Sequence, residues 1–361
     1  MNPKLKGLMH PRFSVLDCRF KINPKWFLAL CLFIPLPLSP YALGQETFYK
    51  GKTMRITVAA APGGGYDTYS RLIARHMGKH IPGNPTFIVE NMPGGGQMIA
   101  ANHVFKIAKP DGLTIGHFTG NLVINQVSGQ PGVEFDMRQF EYLGAPTADH
   151  TSCAVTRASG ITSAERWLAS KKPVKMGGVG PGTIIDNALR VLKFATDFPI
   201  HIVSGYKGTA PIRLAMESGE LDGSCWGWDS IRATWGKAIQ SGEGIVVIQV
   251  GAKPHPELAK VPLAINFAKH EEGRQLIDVV IHGGNIIERS YVLPPATPED
   301  RAQIVRRAFA KTMEDPELLA EAKKSKLGIG PIPGEELERH IHAFFKLPKE
   351  LRDKLKEILF R

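Results

Sequence analysis

The sequence predicts an α/β protein of two domains built on mostly parallel sheets. Three observations predict it. Strand-like and helix-like runs alternate along the chain, as in parallel-sheet proteins. About 317 residues follow an export-type N-terminus, more than one hydrophobic core usually serves. Three glycine-rich turns each run into a helix: Ala61-Pro62-Gly63-Gly64-Gly65-Tyr66-Asp67, Met92-Pro93-Gly94-Gly95-Gly96-Gln97 and Gly177-Gly178-Val179-Gly180-Pro181-Gly182-Thr183.

The N-terminus reads as a targeting segment. Lys4, Lys6, Arg12, Arg19, Lys21 and Lys25 form a basic region ahead of an apolar run from Trp26 to Leu38. Ala42-Leu43-Gly44 supplies the small residues a signal peptidase reads, which places cleavage before Gln45. A membrane anchor is the other reading. Against it, the run is short for a span of about 30 Å and holds Pro35 and Pro37. The first 44 residues hold six Lys/Arg and one acid, so the remainder has 39 basic and 33 acidic side chains, net +6. That mild excess with no long basic block suits a small anion or simple solubility better than nucleic acid. Only Cys153 and Cys225 remain after the signal. Export would allow them to pair; free burial in two short apolar strands is the alternative.

Along the chain, Met54–Ala59 reads as a strand before the first turn. The helix behind it runs to about His80, with Tyr69, Leu72, Ile73 and His76 on one face. Thr86–Glu90 is the second strand. The helix after the second turn aligns Ala101, Val104, Phe105 and Ala108. Leu113–Phe118 is a third strand, and residues 121–142 read as an irregular connection. A second set follows: strands at 152–156, 174–177, 199–203, 221–225 and 244–250, with helices between. The helix after the third turn aligns Ile185, Ala188, Leu189 and Leu192. Thr209-Ala210-Pro211 starts a helix that Gly219 closes, and Asp229 or Ser230 caps the next. Lys253-Pro254-His255-Pro256 reads as a crossover, and Arg289–Leu293 as a strand returning to the first set. Helices at about 298–312, 315–325 and 334–358 end the chain with solvated, charged faces.

Glycine lets backbone approach a ligand closely, and the helix behind it directs free N–H groups and partial positive charge there. Such a turn suits a carboxylate or phosphate. Nucleotide versions fail. Gly51-Lys52-Thr53 lacks the P-loop glycine, since position 46 is Glu46. Thr68, Ile99 and Thr183 stand where a dinucleotide fingerprint needs its last glycine. No G-x-S-x-G nucleophile elbow is present. No metal or cofactor is expected: His76 and His80 have no acidic neighbour in sequence, and His340 and His342 fall on different helix faces.

The motifs resemble those of the receptors of tripartite tricarboxylate transporters, the TctC or Bug family. Pro62-Gly63-Gly64-Gly65-Tyr66-Asp67 with Arg71-Leu72 is similar to their P-G-G-x-x-D…R-L element. Glu90-Asn91-Met92-Pro93-Gly94-Gly95-Gly96 is similar to E-N-x-P-G-A-G, and Pro110-Asp111-Gly112-Leu113-Thr114-Ile115 to P-D-G-Y-T-L. Tyr206-Lys207-Gly208-Thr209-Ala210-Pro211, with Gly219-Glu220-Leu221-Asp222, resembles Y-K-G-x-A-P…G-E-V-D. Thr297-Pro298 and Asp315-Pro316 also fit, so the resemblance spans roughly residues 48 to 345.

It implies a two-lobed, type II periplasmic-binding-protein fold with a ligand cleft between lobes. Residues 45–150 plus 260–361 would form the first lobe and 151–259 the second. It implies a monomeric periplasmic receptor, with no enzymatic activity, that hands a small organic carboxylate to membrane permease subunits. Backbone amides of the first two turns would hold the carboxylate. The candidate ligand-binding residues are Gly63, Gly64, Gly65, Tyr66, Asp67, Gly94, Gly95, Gly96, Gln97, Asn121, Gly180, Thr183, Tyr206 and Asp229. Asp67 either caps its own helix or meets a ligand hydroxyl or amine; Tyr66 and Tyr206 either line the cleft or lie exposed. Trp226 and Trp228 are either packing or a ring-stacking wall. The chain departs from the family at Gly95, at Gln97-Met98 and at Trp226-Gly227-Trp228-Asp229, which bears on the ligand rather than the fold. A sensor feeding a signalling partner and an exported hydrolase with an oxyanion pocket are the rival readings.

Overall fold

The computed structural model describes residues 48–360; the expected signal segment and its cleavage point lie outside them. β1 (Thr53–Val58) leads through the first glycine turn into α1 (Gly65–Met77). β2 (Thr86–Asn91) leads through the second into α2 (Met98–Lys106). β3 (Thr114–Phe118), α3 (Leu122–Val127) and β4 (Glu141–Ala145) complete the first set. The second set is β5 (Thr151–Thr156), α4 (Ala164–Leu168), β6 (Val174–Gly177), α5 (Ile184–Ala195), β7 (Ile200–Val203), α6 (Thr209–Glu217), β8 (Gly223–Gly227), α7 (Trp228–Ser241) and β9 (Gly244–Gln249). α8 (Glu271–Leu276), a π-helical stretch (Ile277–His282) and α9 (Gly283–Ile287) run together into β10 (Ser290–Leu293). α10 (Glu299–Met313), α11 (Pro316–Lys324), β11 (Ile332–Pro333), α12 (Gly334–Phe345) and α13 (Lys349–Phe360) follow.

Two sheets result, six-stranded in the order β11-β4-β10-β3-β1-β2 and five-stranded in the order β7-β6-β8-β5-β9. Both are mixed rather than mostly parallel. Strands joined by a crossover helix pair parallel, as β1 does with β2 and β3, and β6 with β7 and β8. Strands by which the chain enters or leaves a lobe run the other way. β10 is antiparallel to β3 and β4, and β5 is antiparallel to β8 and β9. The expected helix faces are the buried ones: Tyr69, Leu72 and Ile73 on α1, Ala101 and Val104 on α2, Ala188, Leu189 and Leu192 on α5. None of the described helices is long and apolar enough to cross a membrane.

Local differences from the expectations have identifiable causes. The connection at 121–142 contains α3, a single short helix whose Leu122, Val123 and Ile124 are buried. α7 begins at Trp228 with Gly227 in the cap position, so Asp229 sits in its first turn rather than capping it. The last helix is broken into α12 and α13 around Pro348, whose ring disfavours helix at Leu347. The Lys253–Pro256 segment does not cross between lobes. Gln249 folds it back, accepting from the His255 N–H at 2.9 Å and donating to the carbonyls of Leu258 (3.0 Å) and Val261 (2.6 Å).

The chain returns to the first sheet through α9. Asn285 ties the crossing segments together. Its backbone oxygen accepts from the Asp149 N–H (2.8 Å). Its side chain accepts from Thr151 Oγ1 (2.6 Å) and donates to Val250 O (3.0 Å). Cys153 and Cys225 face each other across β5 and β8 and are joined as a disulfide. The bridge closes a long loop within the second sheet, so replacing both cysteines by alanine should lower stability by about 2–4 kcal/mol. Denaturant titration checks this. Reductant should lower the wild-type midpoint and leave that of the double variant where it was.

Candidate functional site

The three turns converge from both sheets, but they are not equivalent. In the first, the Gly63 N–H donates to Asp67 Oδ2 at 2.9 Å. Arg71 and Asn91 hold the same carboxylate. Burial works against the Asp67 charge, but the hydrogen bonds from Arg71, Gly63 and Asn91 outweigh it, and its pKa is lowered. Asp67 therefore caps its own turn. In the third turn, the Gly180 N–H donates to Asp186 Oδ2 at 2.7 Å, and Thr183 caps α5 by accepting from the Asp186 N–H. Asp186 also accepts from Ser204 Oγ.

No acidic side chain among the described residues caps the second turn in this way. Gly94, Gly95, Gly96 and Gln97 follow one another at φ of 129°, 57°, 59° and 75°. Glycine adopts these angles without strain, and a run of such residues forms a concave anion seat. Gln97 is the one non-glycine in the run. Its side chain turns inward, where Oε1 accepts from the Thr119 N–H at 2.8 Å.

A cavity of about 610 Å³ lies between the second and third turns. Gly94, Gly95, Gly96 and Asn125 line it from the first lobe, and Gly180, Ser204, Tyr206 and Lys207 from the second. Met98, Val179 and Phe360 give it an apolar side. A separate cavity of about 640 Å³ between α6 and α7 has no glycine turn in its walls.

The lobes meet at these turns. A Cβ on Gly180 would lie 3.0 Å from Gly96 Cα, and one on Gly64 would lie 2.7 Å from Thr209 Oγ1. The Ala61 N–H donates to Lys207 O at 2.7 Å, and Asn125 Nδ2 to Pro181 O at 3.3 Å. A Cβ on Gly63, Gly64 or Gly65 would meet Ala210, Thr209 or Ser230 of the other lobe.

The remaining candidates point inward. Tyr66 Oη donates to Glu288 Oε1 at 2.7 Å, and Asn121 Nδ2 donates to Glu288 Oε2 at 2.9 Å. Thr119 Oγ1 donates to the same oxygen at 2.6 Å. Asp229 accepts from Tyr69 Oη (3.2 Å) and pairs with Arg232, joining α7 to α1. Trp226 and Trp228 are buried packing, with Trp228 Nε1 donating to Glu257. The structure thus gathers Gly94, Gly95, Gly96, Gly180 and Tyr206 in one cavity. Thr183 stands in the third turn beside it, Gly63, Gly64 and Gly65 stand in the first turn outside its walls, and Tyr66, Asp67, Gln97, Asn121 and Asp229 serve internal contacts. Lys207, Asn125 and Ser204 were missed as site residues, although Lys207 stands inside a quoted motif. Glu288 and Arg289 gave no signal in sequence, because their partners lie 59 to 222 residues away.

Two lobes, each with a mixed sheet and helices, closing over glycine turns define the periplasmic-binding-protein fold. No protein-family model matches the chain. It is 28% identical over 205 residues to the UPF0065 protein of the TAR-I ttuE-ttuC' intergenic region of Agrobacterium vitis. That match spans 54% of this chain and 57% of the relative. In structure it is similar to the periplasmic binding protein BugD (TM-score 0.68, 16% identity, 86% of this chain and 98% of that one). MatC of Rhodopseudomonas palustris with bound malate (TM-score 0.64, 18% identity) covers 85% of this chain and 99% of that one. An R. palustris protein with adipate (TM-score 0.67, 19% identity) covers 85% and 98%. The neighbours include Bug-type binding proteins, in agreement with the resemblance read from the motifs.

Glu288 gives the site a measurable pH dependence. Burial and then the nearby Asp149 push its pKa from 4.5 to about 7, only partly offset by Thr119, Tyr66 and Arg289. Below about pH 4.5 folded and unfolded chains both hold the proton and this group costs nothing. Between there and about pH 7 only the folded chain holds it, so stability falls as pH rises, by on the order of 3 kcal/mol. Melting of wild type should therefore drop from pH 5 to 7.5 relative to Glu288→Gln, whose curve should be flatter by that amount.

Proposed function

We propose that this chain is an extracytoplasmic solute-binding receptor that captures a small organic carboxylate and performs no chemistry on it. In this reading it delivers the ligand to the permease subunits of a tripartite tricarboxylate-type transporter. One observation carries it: Gly94, Gly95 and Gly96 form an uncapped positive-φ run at the wall of the interlobe cavity. The first and third turns already hold internal carboxylates, Asp67 and Asp186. A ligand carboxylate at the second turn takes the equivalent place. Backbone donors to a charged acceptor contribute about 1.5–3 kcal/mol each, so two or three support micromolar binding. Lys207 at the opposite wall supplies countercharge, and Met98, Val179 and Phe360 suit a carbon chain.

The malate and adipate held by two structural neighbours support a dicarboxylate of four to six carbons as the first class to test. Thermal-shift screening and calorimetry against such acids should give a rise in melting temperature by mass action. Ligand recovered unchanged after incubation is the expected result; turnover lost on mutating the cavity would sink the receptor reading. Lys207→Ala should weaken binding at least tenfold, about 1.4 kcal/mol.

Lobe closure is testable separately. Gly64 has a φ of −93°, which any residue adopts, so Gly64→Ala should fold. Its Cβ would sit 2.7 Å from Thr209 Oγ1, while the next atoms lie 3.6 Å and 3.7 Å away. The variant should lose affinity while keeping its circular dichroism, and adding Thr209→Ala should restore most of it. Failure of that rescue would mean Gly64 acts otherwise than by admitting the second lobe.

A further inference from the structure

The C-terminal end of α1 meets the start of α11 at a cluster absent from any local sequence motif. His76 and His80 find their acidic partners among residues 315–321. His76 Nε2 lies 2.8 Å from Glu321 Oε2. Arg75 Nη2 donates to the other oxygen of the same Glu321 carboxylate, which is thereby fixed against the Nε2 edge of the ring. The other ring nitrogen, Nδ1, faces Glu317 Oε2 at 3.9 Å. A carboxylate fixing the far nitrogen of an imidazole is the usual outer-shell arrangement of a metal-binding histidine.

Asp315 is equally prepared. Its Oδ1 accepts from the N–H groups of Glu317 (2.9 Å) and Leu318 (3.4 Å), which turns Oδ2 into the cluster. The Lys79 ammonium sits between Asp315 Oδ2 and Glu317 Oε2, 2.7 Å from each. His80 Nε2 reaches the same Asp315 oxygen at 2.7 Å. A cation is thus already held at the point between the two carboxylates. One ligand atom each from His76, Asp315 and Glu317 lies within 4.8 Å of the others.

We infer that His76, Asp315 and Glu317 form a binding site for a divalent transition metal, with Lys79 as the competing internal cation. Zinc–nitrogen and zinc–oxygen bonds of about 2.0–2.2 Å require these atoms to draw together by about 1 Å. Glu317 and Lys79 can move to allow it, since their side chains are 75% and 40% exposed. One imidazole and two carboxylates leave a position for water and favour zinc over magnesium, which rarely takes nitrogen ligands. The site would fasten α1, which opens at its other end on the first glycine turn, to α11.

Calorimetric titration of the untagged full-length chain with zinc chloride tests this, with magnesium chloride as the comparison. One equivalent of zinc should bind and raise the melting temperature, and magnesium should do neither. His76→Gln should abolish binding. Glu317→Gln changes an exposed side chain, so it should stay folded and weaken binding at least tenfold. Lys79→Ala should leave zinc affinity unchanged or tighten it severalfold. The inference is overturned if zinc does not bind, if both His76→Gln and Glu317→Gln bind it as wild type does, or if Lys79→Ala weakens it.

Discussion

The buried ion pair of Asp149 and Arg289 is the constraint on which the arrangement of the lobes depends. Arg289 Nη2 donates to Asp149 Oδ2 at 2.9 Å and to Ser230 Oγ at 2.8 Å. The two side chains are only 2% and 3% exposed. The guanidinium also lies over the rings of Tyr66 (5.6 Å) and Tyr69 (4.6 Å). One cation therefore touches the start of β10, the β4–β5 crossing, α7 of the second lobe and α1 of the first. Burial opposes the Arg289 charge, but Asp149 and the surrounding tyrosines outweigh it and hold the guanidinium protonated. Such a pair adds little net stability compared with apolar packing, yet removing one partner costs about 3–5 kcal/mol. Its contribution is to fix geometry: it sets where the second lobe meets the first turn.

The same economy of charge explains which turn is open to a ligand. Asp67, Asp186 and Glu288 are internal carboxylates, each satisfied by donors that could otherwise reach a bound anion. Asp67 occupies the first turn and Asp186 the third, while Glu288 gathers Tyr66, Thr119 and Asn121. The buried side chains next to the cleft are thereby organised without a ligand. What they leave is backbone, the positive-φ run of Gly94, Gly95 and Gly96. Fixed N–H groups need no rotamer ordering when an anion arrives, which makes them a preorganised seat.

Much of this was legible in the sequence, and the part that was not has a common cause. Strands at 54–59, 86–90 and 174–177 and the helices behind the glycine turns were readable because alternation and 3.6-residue spacing are local. The glycine runs were readable as close-approach positions, though not what approaches: Thr209 at Gly64 and Gly180 at Gly96 come from the other lobe. Tyr66, Asn121 and Asp229 carry the residue types of ligand contacts, but their partners Glu288 and Tyr69 lie 222, 167 and 160 residues away in sequence. The histidines of α1 looked solitary for the same reason, since their carboxylates arrive 235 and 245 residues later. α9, which crosses between the lobes, gave no signal because Asn285 works through contacts with the distant β4–β5 crossing and the end of β9.

The contacts between lobes bear on how affinity is divided. Ala61 to Lys207, Tyr69 to Asp229, and Arg289 to Ser230 join the lobes through protein groups alone. A receptor that closes only by contacts to its ligand loses affinity in proportion to how rarely it visits the closed form. On the receptor reading proposed above, these contacts would supply part of the closing free energy and leave less for the ligand to provide. The limit on this strategy is release: contacts that hold the lobes together without ligand also slow reopening. The Asp149–Arg289 pair lies at the β4–β5 crossing rather than among the residues lining the cavity. On that reading, a charge pair at the crossing would keep the lobes aligned while contacts nearer the cavity, such as Ala61 to Lys207, break.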